Sequence, residues 1–104
     1  MEQAERDRIV GLTKSNRVVL FMKGNKMFPQ CGFSAQVVGL LKQSGVEFDA
    51  HNILGDQDLR TGLKEISNWP TFPQLYIDGE LVGGCDIIMQ MNESGELAKA
   101  LEAE

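Results

Sequence analysis

The chain lacks most of what would direct it to a membrane, to nucleic acid or to an oxidising compartment. No apolar run approaches the roughly 20 residues that a membrane helix needs. The opening residues, Met1-Glu2-Gln3-Ala4-Glu5-Arg6, are too polar and acidic for a secretory signal. Lys and Arg form no block and the formal net charge is −5, which argues against nucleic acid or an anionic membrane as the main partner. Two cysteines are too few for a disulfide framework; in a reducing compartment they read as reactive or ligating thiols, or as small buried hydrophobes. The single histidine, His51, has no second His or Cys at ligand spacing and reads as an ordinary strand-end residue. No internal repeat, low-complexity tract or linker interrupts the chain, and 104 residues suffice for one core. The expectation is a single domain over residues 1–104, soluble and cytoplasmic, with an organelle matrix after loss of a targeting segment as the other setting.

What is present alternates helix and strand. Ile9, Val10 and Leu12 among charges predict an amphipathic helix from Glu2 to Lys14, stopping near Ser15-Asn16. Val18 to Met22 is a continuous apolar run, as expected of a strand buried on both faces. The loop Lys23 to Gln30 follows, then a helix from Phe33 to Ser44, closed by Gly45 in the place of a C-cap glycine. Glu47 to Ile53 reads as a second strand. Strand, helix and strand in this spacing make a βαβ unit, with the first two strands parallel. Asp56 to Ser67 predicts a short helix with Leu59, Leu63 and Ile66 on one side and an acidic start. Trp69-Pro70-Thr71-Phe72-Pro73 cannot be helix, because each proline removes a donor and extends the residue before it. Gln74 to Ile77, Asp78-Gly79, then Glu80 to Gly83 is the strongest hairpin signal in the chain. A helix from Asp86 through Met91 and a last segment, Gly95 to Glu104, complete the order.

Within that frame Cys31 stands where a loop becomes a helix. Unsatisfied backbone N–H groups and the positive end of the helix dipole both favour a thiolate there, which makes Cys31 a candidate nucleophile or metal ligand. Three residues on, where a Cys-x-x-Cys redox motif has its second thiol, the residue is Ser34. If Cys31 forms a mixed disulfide, Ser34 cannot resolve it and an external thiol must attack. A 2Fe–2S cluster is usually held by four thiolates, and this motif supplies one.

A helix-start cysteine after the first strand and a proline before the third match the thioredoxin architecture: a four-stranded mixed sheet, parallel βαβ half plus antiparallel hairpin, flanked by helices. The chain resembles the monothiol glutaredoxins of the CGFS type. The resemblance rests on Lys23-Gly24, Pro29-x-Cys31-Gly32-Phe33-Ser34, Leu59-Arg60-x-Gly62-Leu63-Lys64, Trp69-Pro70-Thr71-Phe72-Pro73-Gln74 and Gly83-Gly84-Cys85-Asp86, spread over roughly residues 17 to 101.

The resemblance implies a glutathione-ligated 2Fe–2S cluster bridging a homodimer, with Cys31 as the protein ligand, a role in cluster assembly and transfer to apo iron–sulfur proteins, and pairing with a BolA-type protein. Lys23 and Arg60 fall on the glycyl carboxylate side of glutathione, with Lys64 assisting one helical turn further along. Thr71, Phe72 and Pro73 would offer backbone to the extended tripeptide, the more so with a cis peptide before Pro73. Gly84 allows close approach, and the N–H groups of Cys85 and Asp86 at a helix start can receive the γ-glutamyl carboxylate. Cys85 could pack inertly, pair with Cys31 or ligate metal; inert packing or a backbone-only contact ranks first and a disulfide with Cys31 second. Trp69 reads as core or as a wall of the site. The competing activity is glutathione-dependent thiol–disulfide exchange, removing glutathione from proteins; the loop Lys23 to Gln30, longer than expected of dithiol relatives, weighs against it.

Overall fold

A computed structural model describes residues 1–102; Ala103 and Glu104, the end of the segment expected from Gly95, lie outside the described residues. The elements run α1 (Gln3–Leu12), β1 (Val18–Met22), α2 (Gly32–Ser44), β2 (Asp49–Asn52), α3 (Gln57–Ser67), β3 (Gln74–Ile77), β4 (Glu80–Gly83), α4 (Cys85–Ser94) and α5 (Glu96–Leu101). The sheet order is β2-β1-β3-β4. β1 pairs parallel with β2 and antiparallel with β3, and β3 pairs antiparallel with β4. This is the mixed four-stranded thioredoxin fold.

β1 explains the two-layer cover. All five of its residues are fully buried, and alternate side chains feed opposite faces. Val18, Leu20 and Met22 meet Val37, Val38 and Leu41 of α2, Ile88 of α4, and Leu97 and Leu101 of α5. Val19 and Phe21 meet Ile9 of α1, Leu59 and Leu63 of α3, and Tyr76. The unbroken apolar run is what a strand needs when both faces are covered.

Local chemistry sets the element ends. Gly45 closes α2 at φ 78°, a left-handed cap that costs glycine little. Asp78 and Gly79 both have positive φ, the pair of left-handed residues that a tight hairpin turn demands. α1 stops at Leu12, two residues short of the expectation, where the Thr13 hydroxyl donates to Val10 O at 2.6 Å. β2 is likewise shorter than its expected span, being an edge strand with half-exposed side chains. Gly95, also left-handed, separates α4 from α5.

Asp56 caps α3, its carboxylate accepting from the Leu59 N–H at 3.0 Å while Arg8 of α1 approaches at 3.2 Å. That cap N–H, with Arg8 as a lesser contributor, holds the Asp56 pKa below the ordinary carboxylate value. A depressed folded-state pKa contributes stability above the unfolded value and loses it as pH falls through the folded value. Asp56→Ala should therefore cost about 1 kcal/mol at neutral pH. The difference from wild type should narrow below about pH 4. Urea unfolding of both proteins at neutral and acidic pH checks this; a pH-independent difference would contradict it.

Candidate functional site

The site forms where β1 runs into α2. Cys31 is the N-cap residue of α2, extended at φ −150° and ψ 137°, and half-buried. Its pKa is lowered, chiefly by the Ser34 backbone N–H, then by the Phe33 N–H, the charge of Lys23 and the Ser34 hydroxyl; burial opposes them. These are the helix-start donors that the sequence places around the sulfur.

Ser34 has a second role that sequence reasoning missed. It is fully buried, and its hydroxyl accepts the Lys23 N–H at 3.1 Å. The residue that takes the place of a second thiol thus ties the end of β1 to the first turn of α2. The loop between them is folded, not slack. Gln30 N–H donates to Lys23 O at 2.8 Å, and the Asn25 carboxamide oxygen accepts from Met27 N–H and Phe28 N–H at 3.0 and 2.8 Å. Gly24, at φ 92°, lies so close to Phe28 O that a Cβ would come within 2.5 Å of it. Met27, Phe28 and Phe33 are left exposed on this side of the molecule.

A cleft of about 400 Å³ opens beside the loop. Lys23 and Arg60 line it with Thr71 and Phe72 of the proline turn and with Gly84, Cys85 and Asp86 at the start of α4. Seven of the ten candidate binding and catalytic residues thus meet in one place. Three others are not among the lining residues: Lys64, a turn beyond Arg60 on α3; Pro73, buried behind Phe72; and Cys31, which stands at its N-cap within the field of Lys23. The Phe72–Pro73 peptide is cis. Gly84 fits because space is short, since a Cβ there would lie 3.1 Å from Trp69 Nε1. Among the described residues that buried indole N–H has no hydrogen-bond partner, and Trp69 forms part of the cleft wall.

Gln74 builds the opposite support, a role that its place at the end of the Trp69-to-Gln74 block does not reveal. Fully buried, it donates from Nε2 to Trp69 O and Thr71 O at 3.2 and 3.3 Å, and its Oε1 accepts from the Tyr76 hydroxyl at 2.9 Å. The carboxamide thereby fixes the turn that carries Thr71 and Phe72 into the cleft.

Cys85 is free, as is Cys31. Burial pushes the Cys85 thiol up, with the charges of Asp86 and Cys31 adding to it. The two sulfurs are therefore opposites, one held toward thiolate and the other toward thiol. Among the described residues no group of three or more His, Cys, Asp and Glu side chains is placed to hold a metal ion. Alkylation by iodoacetamide, followed residue by residue by mass spectrometry as pH rises, should label Cys31 at lower pH than Cys85. The reverse order would contradict the assignment.

Comparison with known proteins gives consistent matches. The family model of glutaredoxin matches residues 18–82. "Probable monothiol glutaredoxin 2" of Rickettsia typhi is 55% identical over 104 residues, 100% of this chain and 94% of that protein. "Monothiol glutaredoxin-5, mitochondrial" of Lachancea kluyveri is 58% identical over 92 residues, covering 86% of this chain and 64% of that protein. Other relatives are far longer: the chain spans only 20% of the rice "Monothiol glutaredoxin-S11", to which it is 58% identical over 96 residues. Among solved structures, reduced poplar apo GrxS14 superposes with a TM-score of 0.80 at 55% identity, covering 90% of this chain and 86% of that one.

Proposed function

The chain belongs to the glutaredoxin family, among its monothiol members, and from that footing we propose that it is a carrier of a glutathione-ligated 2Fe–2S cluster, shared between two copies of a single glutaredoxin domain and passed on to apo iron–sulfur proteins. The observation that carries this reading is the donor set at Cys31. One activated thiol stands at a helix start, Ser34 fills the place of a second, and Cys85 is held toward thiol by burial. Such a set fits a cluster completed by thiols from outside the chain and does not fit one held by this chain alone. When bound, the cluster supplies transferable iron and sulfide; the protein contributes one ligand and a binding surface.

Glutathione is the external thiol that the cleft suits. Lys23 and Arg60 would receive its glycyl carboxylate, with Lys64 extending that positive field from the next turn of α3. The Phe72 backbone beside Thr71 and Pro73 would pair with the extended peptide, and the Cys85 and Asp86 N–H groups at the start of α4 would take the γ-glutamyl carboxylate. The exposed Met27, Phe28 and Phe33 support a second copy closing over the cluster, or a BolA-type partner in its place. For setting we propose the cytoplasm. No helix among the described residues is long and apolar enough to cross a membrane, and relatives include proteins named mitochondrial and chloroplastic.

A second reading is glutathione-dependent removal of glutathione from protein disulfides by Cys31 alone. The lowered Cys31 pKa favours it, because thiolate is the attacking species. Anaerobic reconstitution with iron, sulfide and glutathione separates the two, read by visible absorption and gel filtration. The carrier reading expects cluster absorbance in a glutathione-dependent dimer. Cys31→Ser should abolish it and Cys85→Ser should leave it largely intact. Lys23→Ala and Arg60→Ala should each weaken glutathione binding about tenfold. Absence of cluster absorbance together with brisk turnover of a glutathionylated disulfide would establish the second reading instead.

A further inference from the structure

Cys85 is not simply buried. Its Sγ donates a hydrogen bond at 3.4 Å to the carboxamide oxygen of Gln36, an exposed residue of α2. The contact bridges two packed helices, α2 and α4, that carry the two cysteines at or near their N-termini. Cys85 packs at the margin of the core, lines the cleft and lies within the electrostatic reach of Cys31. An S–H donor exists only in the thiol. The bond to Gln36 must therefore break before Cys85 can attack anything.

We propose that Gln36 is a positioning residue that latches the Cys85 thiol to α2 and so slows closure of a Cys31–Cys85 disulfide once Cys31 has been oxidised. The oxidant is a small disulfide, for which glutathione disulfide is the probe. Cys31 thiolate attacks one sulfur of it, forming a mixed disulfide and releasing one glutathione thiolate. Cys85 then leaves Gln36, gives its proton to solvent and attacks the Cys31 sulfur. The Cys31–Cys85 bond forms as the Cys31–glutathione bond breaks, and a second glutathione departs. Two protein thiols lose two electrons and one glutathione disulfide becomes two thiols. With the latch engaged, Cys31 stays available to an external thiol instead of being capped from within its own chain. The role of Gln36 is independent of the cluster reading, since it concerns only the apo protein and its two thiols.

The test uses the full chain, reduced and then mixed with glutathione disulfide, with samples quenched in acid and the mixed and internal disulfides distinguished by mass. Gln36→Ala on the exposed face of α2 should close the internal disulfide about fivefold faster than wild type, the worth of one hydrogen bond, with the rate of mixed-disulfide formation unchanged. Gln36→Glu, which keeps an acceptor oxygen at the same reach, should restore slow closure. Closure at the wild-type rate in Gln36→Ala, equally fast closure in Gln36→Glu, a parallel change in mixed-disulfide formation, or no internal disulfide in any of the three would each overturn the proposal.

Discussion

The hydrogen bond from the Lys23 N–H to the Ser34 hydroxyl joins the last turn of the central strand's path to the first turn of α2, and the geometry of the site depends on it. β1 is immobilised by burial on both faces, so whatever is attached to its end inherits a fixed position. Lys23 leaves the strand toward the cleft, and Cys31 returns from the loop to cap α2. Because Ser34 is wholly buried, its hydroxyl works as internal structure and leaves the start of α2 to a single sulfur. The same side chain thus fixes the site and stands where a Cys-x-x-Cys motif has its second thiol.

The cleft is assembled from segments that have nothing in common locally. A strand end supplies Lys23, a helix supplies Arg60, a proline turn supplies Thr71 and Phe72, and a second helix start supplies Gly84 to Asp86. Three of the four are held by a polar contact behind them: the buried Ser34 behind Lys23, the buried Gln74 behind the proline turn, and the half-exposed Asp56 at the cap of α3. Such contacts are costly to leave unmade, which makes them good fasteners for a surface that must keep its shape without a ligand. Cations and helix-start N–H groups then converge on the one concavity, an arrangement suited to a ligand with a carboxylate at each end.

Much of this was legible in the chain. Burial of β1 on both faces writes an unbroken apolar run, and the Asp78-Gly79 turn writes a hairpin, because in both cases the physics is local. Of the ten candidate site residues taken from the separated motifs, seven line the cleft. Strand β2 is shorter than the expected Glu47 to Ile53, since an edge strand with half-exposed side chains has no periodicity to mark its ends. Lys64 shares a helix face with Arg60, yet the cleft ends before it. The bonds of Ser34 to Lys23, Gln74 to the Trp69 and Thr71 carbonyls, and Cys85 to Gln36 had no sequence signal. They join elements whose relative placement is known only once the sheet and helices are packed.

Under the proposed function Cys31 would be an incomplete site, finished by thiols that this chain does not carry. Native mass spectrometry of the anaerobically reconstituted protein tests it directly. The expected spectrum shows one species containing two chains, two glutathiones and one 2Fe–2S unit, lost when glutathione is withheld. A cluster carried by one chain without glutathione would contradict it.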